Sequence, residues 1–181
     1  MTYRMIPGMQ QIETAPAAFV QLLLDCPPVQ IVEIGGGSGQ WTMCLASLAG
    51  SRVAIYSFDT RVMLRPFIPQ VTWRTVSCWS VEEEIAALIA LPGPTLLLCD
   101  GGNKVREVNT FARHLKPGDV IASHDYSPTR QEFQEITRHQ IWAHCEITDD
   151  RIADTLRDCR LTPFHQETMR EALWGCWRRT G

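Results

Sequence analysis

The sequence predicts an α/β fold: a doubly wound sheet of five parallel strands plus a C-terminal antiparallel hairpin, with helices on both faces. Two observations lead there. Five short apolar runs alternate with amphipathic stretches, the pattern of βαβ units around a parallel sheet buried on both faces. After the fifth run come two more strand-like pieces, with too few residues between them for a right-handed parallel crossover, so they pair antiparallel. A length of 181 residues suits one domain, and no repeat, low-complexity tract or linker divides it. Residues 1–29 are expected to form an N-terminal helical cover and 30–181 the core.

Each element has its own signal. A helix over about Thr14–Asp25 places Phe19, Leu22 and Leu23 at spacings of three and four, and Pro27-Pro28 stops it. The first strand, Gln30–Ile34, breaks at Gly35-Gly36-Gly37-Ser38-Gly39. A helix from about Ser38 follows, with Trp41, Leu45 and Leu48 along one side. The second strand, Arg52–Phe58, ends at Asp59. The third, Val71–Val76, ends at Ser77-Cys78-Trp79-Ser80, where Ser80 is expected to cap a helix with an acidic first turn, Glu82-Glu83-Glu84. The fourth strand, Leu96–Cys99, ends at Asp100-Gly101-Gly102, and a short helix runs to His114. The fifth, Val120–Ser123, ends at His124-Asp125-Tyr126. Helices near Thr129–His139 and Asp149–Cys159 precede the hairpin pieces Leu161–Thr168 and Ala172–Arg178. Trp174 and Trp177 face opposite sides of the last strand, so one is expected in the core and the other at a homo-oligomer contact.

Composition excludes several classes. Net charge is −3, with dispersed basic residues, which argues against nucleic-acid binding by charge alone. No apolar run approaches the roughly 18 residues of a membrane span, and the opening lacks the pattern of a signal peptide. Seven cysteines form no C-x-x-C pair, and Cys44, Cys99 and Cys176 lie in apolar runs as small hydrophobes. The reading is a reduced, cytoplasmic protein. His114, His139, His144 and His165 have no partner visible in the sequence and read as structural or surface residues.

In an open parallel sheet, ligands bind beyond the carboxyl ends of the strands. Here those ends gather the glycine loop, Asp59, Ser77-Cys78-Trp79, Asp100 and His124-Asp125. The loop reads G-x-G-x-G at 35, 37 and 39, and Gln40 stands where the dinucleotide fingerprint has its last glycine. Bare glycines let a ligand approach the backbone, and Asp59 is placed to accept both hydroxyls of a ribose. Two neighbouring strand ends lie about 4.8 Å apart, so Asp100 and Asp125 can share one cation; alternatively, each caps the helix after it.

EIGGGSG (33–39), Asp59, the acidic fourth-strand end and the terminal hairpin together resemble the class I S-adenosylmethionine-dependent methyltransferases, over about Gln30–Arg178. The resemblance implies a Rossmann-like fold with strand order 3-2-1-4-5-7-6. It places Glu33, Gly35, Gly37, Gly39 and Asp100 among the cofactor-binding residues, the glycine loop on the methionine part, and Asp59 on the ribose. Cys78 and Trp79 would flank the adenine, although many relatives carry an acidic residue there, and core packing is the plainer reading of Trp79. DGGNK (100–104) with HDY (124–126) resembles a narrower branch, the cephalosporin-hydroxylase-like and macrolide-sugar O-methyltransferases. In that branch acidic residues at these two strand ends hold a divalent cation. This implies Asp100, His124 and Asp125 as ligands of magnesium or, because His124 replaces a residue that is often acidic, of manganese. Lys104 and His124 are the candidates for acid–base work; Lys104 stands one position later than the family's lysine.

The resulting expectation is methyl transfer from S-adenosylmethionine to an oxygen of a small or sugar-like acceptor, assisted by a divalent cation. The rivals are a metal-independent N- or O-methyltransferase, a non-catalytic S-adenosylmethionine-binding protein, and a nicotinamide or nucleotide-sugar enzyme.

Overall fold

The computed structural model describes residues 3–61, 66–138 and 145–181. Its strands are β1 (Gln30–Ile34), β2 (Ala54–Asp59), β3 (Val71–Thr75), β4 (Thr95–Cys99), β5 (Val120–His124), β6 (Leu161–Pro163) and β7 (Trp174–Arg179). They form one seven-stranded sheet in the order β3-β2-β1-β4-β5-β7-β6. The pairs among β1 to β5 are parallel, and β7 runs antiparallel to both β5 and β6. Every residue of β1, β4 and β5 is buried, which is why these strands read as unbroken apolar runs.

Helices α1 (Ala15–Asp25), α2 (Gln40–Ala49), α3 (Glu82–Ile89), α4 (Lys104–Phe111), α5 (Arg130–Glu132), α6 (Ala153–Asp158) and α7 (Gln166–Glu171) complete the fold. Strand residues alternate between two cores, one on each face of the sheet. Ile31 of β1 joins Phe19 and Leu22 of α1, Trp41 and Leu45 of α2, and Met169 of α7. Val32, the next residue, joins Ile85 and Ile89 of α3 and Val108 and Phe111 of α4. In the first core Phe19 meets Trp41 and Trp174 edge-on, with ring centroids 4.9 and 5.1 Å apart. Such aromatic pairs contribute about 0.5–1.5 kcal/mol beyond their area burial.

The predicted strand order holds, and four local expectations change. The hairpin pieces Leu161–Thr168 and Ala172–Arg178 shrink to β6 and β7, because Gln166–Glu171 forms α7 instead. His165 turns the chain with a left-handed φ of 50°, and the helix formers after it bury Met169. The second helix starts at Gln40 rather than Ser38, since Gly39 is left-handed and caps it. Ser77, not Ser80, is the local cap: its hydroxyl accepts from the Trp79 N–H in a 3-10 turn over Cys78–Ser80. Trp174 and Trp177 do face opposite sides, but both are fully buried, one in each core, so neither is left for a homo-oligomer contact. His139 and His144 lie outside the described residues.

The parallel register brings the strand ends level. Ile34 pairs with Phe58 on one side and Cys99 on the other, and Cys99 pairs with Ser123. Gly35, Asp59, Asp100 and His124 therefore emerge along one rim. All seven cysteines are free thiols, and burial pushes Cys99 and Cys176 well above the ordinary thiol range, so they act as packing groups. Among the described residues no helix is long and apolar enough to cross a membrane.

Candidate active site

The rim opens into a cavity of about 510 Å³. The glycine loop forms one wall. Gly35 has φ +90°, and a Cβ there would lie 2.1 Å from the Asp100 carbonyl oxygen, so only glycine lets the ends of β1 and β4 approach this closely. Gly37, which lines the cavity, has φ +51°, and a Cβ on it would have no heavy atom nearer than 4.0 Å. Asp59, at the end of β2, accepts from the Gly37 N–H at 2.8 Å and from the Arg61 N–H at 2.7 Å. One carboxylate thus ties the second strand end to the loop while facing the same cavity.

The opposite wall belongs to the ends of β4 and β5. Donor atoms of Asp100, His124 and Asp125 all lie within 4.8 Å of one another. His124 Nδ1 is 3.0 Å from Asp100 Oδ1 and 3.5 Å from Asp125 Oδ1. Neither aspartate is a helix cap. Asn103 caps α4 by accepting from the Arg106 N–H, and Thr129 caps α5 by accepting from the Glu132 N–H. The side chains of Asp100 and Asp125 are therefore committed to the cavity. Asp125 also has a left-handed φ of 55°, and Gln10, on the same cavity, has 54°. Two non-glycine residues in that region cost roughly 1–3 kcal/mol each, a strain that concentrates at functional sites.

Lys104 completes the cluster. Its ammonium sits 3.0 Å from Asp125 Oδ2, 3.5 Å from Asp100 Oδ1 and 2.8 Å from Glu146 Oε2, and it donates to the Gly101 carbonyl at 3.0 Å. Burial opposes its charge, but the three carboxylates together hold its pKa above the ordinary lysine value. The surrounding carboxylates thus favour the charged form of Lys104. Burial likewise opposes the imidazolium of His124, and Asp100 and Asp125 together outweigh it, raising the pKa.

The structure brings Gly35, Gly37, Asp59, Asp100, Lys104, His124 and Asp125 around one cavity. Glu33, Gly39, Cys78 and Trp79 do not line it. Glu33 lies behind the glycine loop, where its Oε2 accepts from Ser57 at 2.6 Å and from Thr42 at 2.5 Å. Gly39 caps α2. Cys78 is buried beyond β3, and Trp79 stacks on Phe111, with the Arg106 guanidinium 3.9 Å from its ring centroid.

Sequence reasoning missed three contributors. Gln11 is buried; its Nε2 donates to Asp100 Oδ2 at 3.2 Å and its Oε1 accepts from Trp174 Nε1 at 2.9 Å. Gln10 and Glu146 line the cavity. None of the three sits at a strand end or in a motif, so periodicity and spacing carry no signal for them.

No protein-family model and no curated protein sequence matches the chain. Solved structures do. CmcI in an apo form superposes with a TM-score of 0.65 at 17% identity, covering 93% of this chain and 72% of that one. CmcI with Mg and SAM gives 0.63 at 18%, again over 93% and 72%. MycE, the methyltransferase of the mycinamycin biosynthetic pathway, in complex with Mg, SAH and mycinamycin VI, gives 0.56 at 14%, over 91% of this chain and 49% of that one. The chain has the class I methyltransferase fold. It spans about three quarters of CmcI and about half of MycE.

Proposed function

We propose that this chain is an S-adenosylmethionine-dependent methyltransferase directed to an oxygen of a small or sugar-like acceptor, with Asp100, His124 and Asp125 able to hold a divalent cation. One observation carries the reading: the bare glycine loop, Asp59 and the Asp100–His124–Asp125 cluster ring a single cavity at the strand ends. CmcI with Mg and SAM, and MycE with Mg, SAH and mycinamycin VI, support it as proteins of the same fold.

The residues fit both groups. Gly37 leaves open space where a side chain would stand, and the Asp59 carboxylate that holds its N–H faces the same cavity as an acceptor suited to a ribose. Two carboxylates and an imidazole within 4.8 Å make a donor set for magnesium or manganese. When bound, the cofactor supplies an electrophilic sulfonium methyl group and the cation acidifies a coordinated hydroxyl. The protein's part is alignment and charge. The glycine loop and Asp59 fix the donor, and Gly102, with nothing within 4 Å of where a Cβ would stand, leaves the rim open to the acceptor. Lys104, held charged, stabilises the oxyanion that forms as the acceptor hydroxyl loses its proton. With a cation on its ring nitrogen His124 would have no free lone pair, and the acidified hydroxyl would give its proton to solvent water at the open rim; without the cation His124 takes that proton itself.

Metal-independent transfer is the second reading, favoured by the ammonium already seated among the carboxylates. Activity that survives a chelator would select it. Calorimetry with S-adenosylhomocysteine tests the main reading. Asp59→Ala is expected to weaken binding by about tenfold or more, the loss of charge-assisted hydrogen bonds. Asp125→Ala is expected to keep that affinity and lose turnover. Equal loss of affinity in both variants would break the division of roles, and preference for NAD over S-adenosylhomocysteine would overturn the assignment.

A further inference from the structure

We propose that Lys104 is the resident cation of the acidic cluster, and that a divalent ion enters by displacing its ammonium group outward toward Glu146. The inference rests on Asp100, His124 and Asp125 being the ligands, as proposed above, and not on methyl transfer itself.

The ammonium holds the oxygens an ion would need. Asp125 Oδ2 is 3.0 Å from Lys104 Nζ, and Asp100 Oδ1 is 3.5 Å from it. Hard divalent cations bind carboxylate oxygens at about 2.0–2.6 Å, so an ion on those atoms would stand beside the ammonium with nothing between two positive charges. Lys104 is only 4% exposed, so its charge is little screened by water. The cluster still favours an ion, because one ammonium faces three carboxylates.

The structure also supplies the lysine's way out. Glu146 Oε2 is 2.8 Å from Nζ, and its side chain is 42% exposed, against 13% for Asp125. The Glu146 N–H donates to the Asp125 carbonyl at 3.2 Å, so this outer carboxylate is anchored beside the inner one. A lysine on a four-carbon stem can swing outward by changing rotamer while keeping the Glu146 contact it already makes, and so retains a counter-charge throughout.

Titration of the cofactor-free protein with Mn2+, followed by the free-ion paramagnetic resonance signal, tests this. Lys104→Met is expected to tighten Mn2+ binding about tenfold or more, and Lys104→Arg to leave it as weak as wild type. Arg106→Met removes a charge from the same helix that sits over Trp79, and is expected to change affinity less than about twofold. Glu146→Gln, which removes the lysine's outer refuge, is expected to weaken binding. Equal affinity in wild type and Lys104→Met would overturn the displacement while leaving the ligand assignment intact, and so would an unchanged Glu146→Gln. A folded Lys104→Met that binds no Mn2+ would instead overturn the ligand assignment. Should Lys104→Met fail to fold, Lys104→Gln takes its place under the same criteria.

Discussion

Glu33 places an ionisable group where water cannot reach it. It is fully buried behind the glycine loop, and among the described residues its Oε1 has no hydrogen-bond partner. Burial raises its pKa from 4.5 to about 7, against the opposing hydrogen bonds from Ser57 and Thr42. A carboxyl whose pKa is raised on folding makes its full contribution to stability below about pH 4.5 and loses it as pH rises through about 7. The span corresponds to roughly 3 kcal/mol. Wild type is therefore expected to be more stable at pH 5 than at pH 8, and Glu33→Gln to flatten that slope. Urea unfolding midpoints at the two pH values measure it; parallel slopes in both proteins would refute the assignment. Cofactor affinity should follow the same window, because Gly36 lies against this cluster, with a Cβ there only 2.2 Å from Ser57 Oγ.

At the scale of elements, the glycine loop and its neighbour behave oppositely. Gly35→Ala meets the Asp100 carbonyl and an unfavourable φ together, so a loss of about 3 kcal/mol or more is expected, along with S-adenosylhomocysteine binding. Gly102→Ala meets nothing within 4 Å and is expected to stay within about 0.5 kcal/mol of wild type. Chemical denaturation of the pair checks both values. These glycines were legible as a motif because a strand followed by G-x-G-x-G has few structural uses. β1, β4 and β5 were legible because burial on both faces demands continuous apolar residues. α7 was not, since six residues in which only Met169 is buried are too few to show a period. The acid cluster was half legible. Asp100 and Asp125 stand at predicted strand ends, but the burial of Lys104 depends on Glu146, which follows a stretch without periodicity, and only the folded chain brings the two together.

For the molecule as a whole, the sheet is a partition with an aromatic anchor on each side. Trp174 packs with Phe19 and Trp41, and its ring lies 4.9 Å from that of His124; Trp177 meets Tyr126 edge-on at 5.4 Å. Trp174→Ala and Trp177→Ala are each expected to cost about 3–5 kcal/mol, the usual range for emptying a large aromatic site. Because both residues belong to β7, each variant should still melt in one calorimetric transition; two resolved transitions would mean that the faces unfold independently. The same strand governs when the site can exist during synthesis. β5 carries His124 and leads straight into Asp125, yet its outer edge pairs with β7, the last strand of the chain, and Gln11 from ahead of α1 bridges Asp100 to Trp174. A nascent chain on the ribosome can assemble β1 to β5 and bring the glycine loop beside Asp59. The acid cluster takes its final form only after β7 has left the exit tunnel, so a nascent chain stalled before β7 would present the glycine loop and Asp59 without the packed acid cluster.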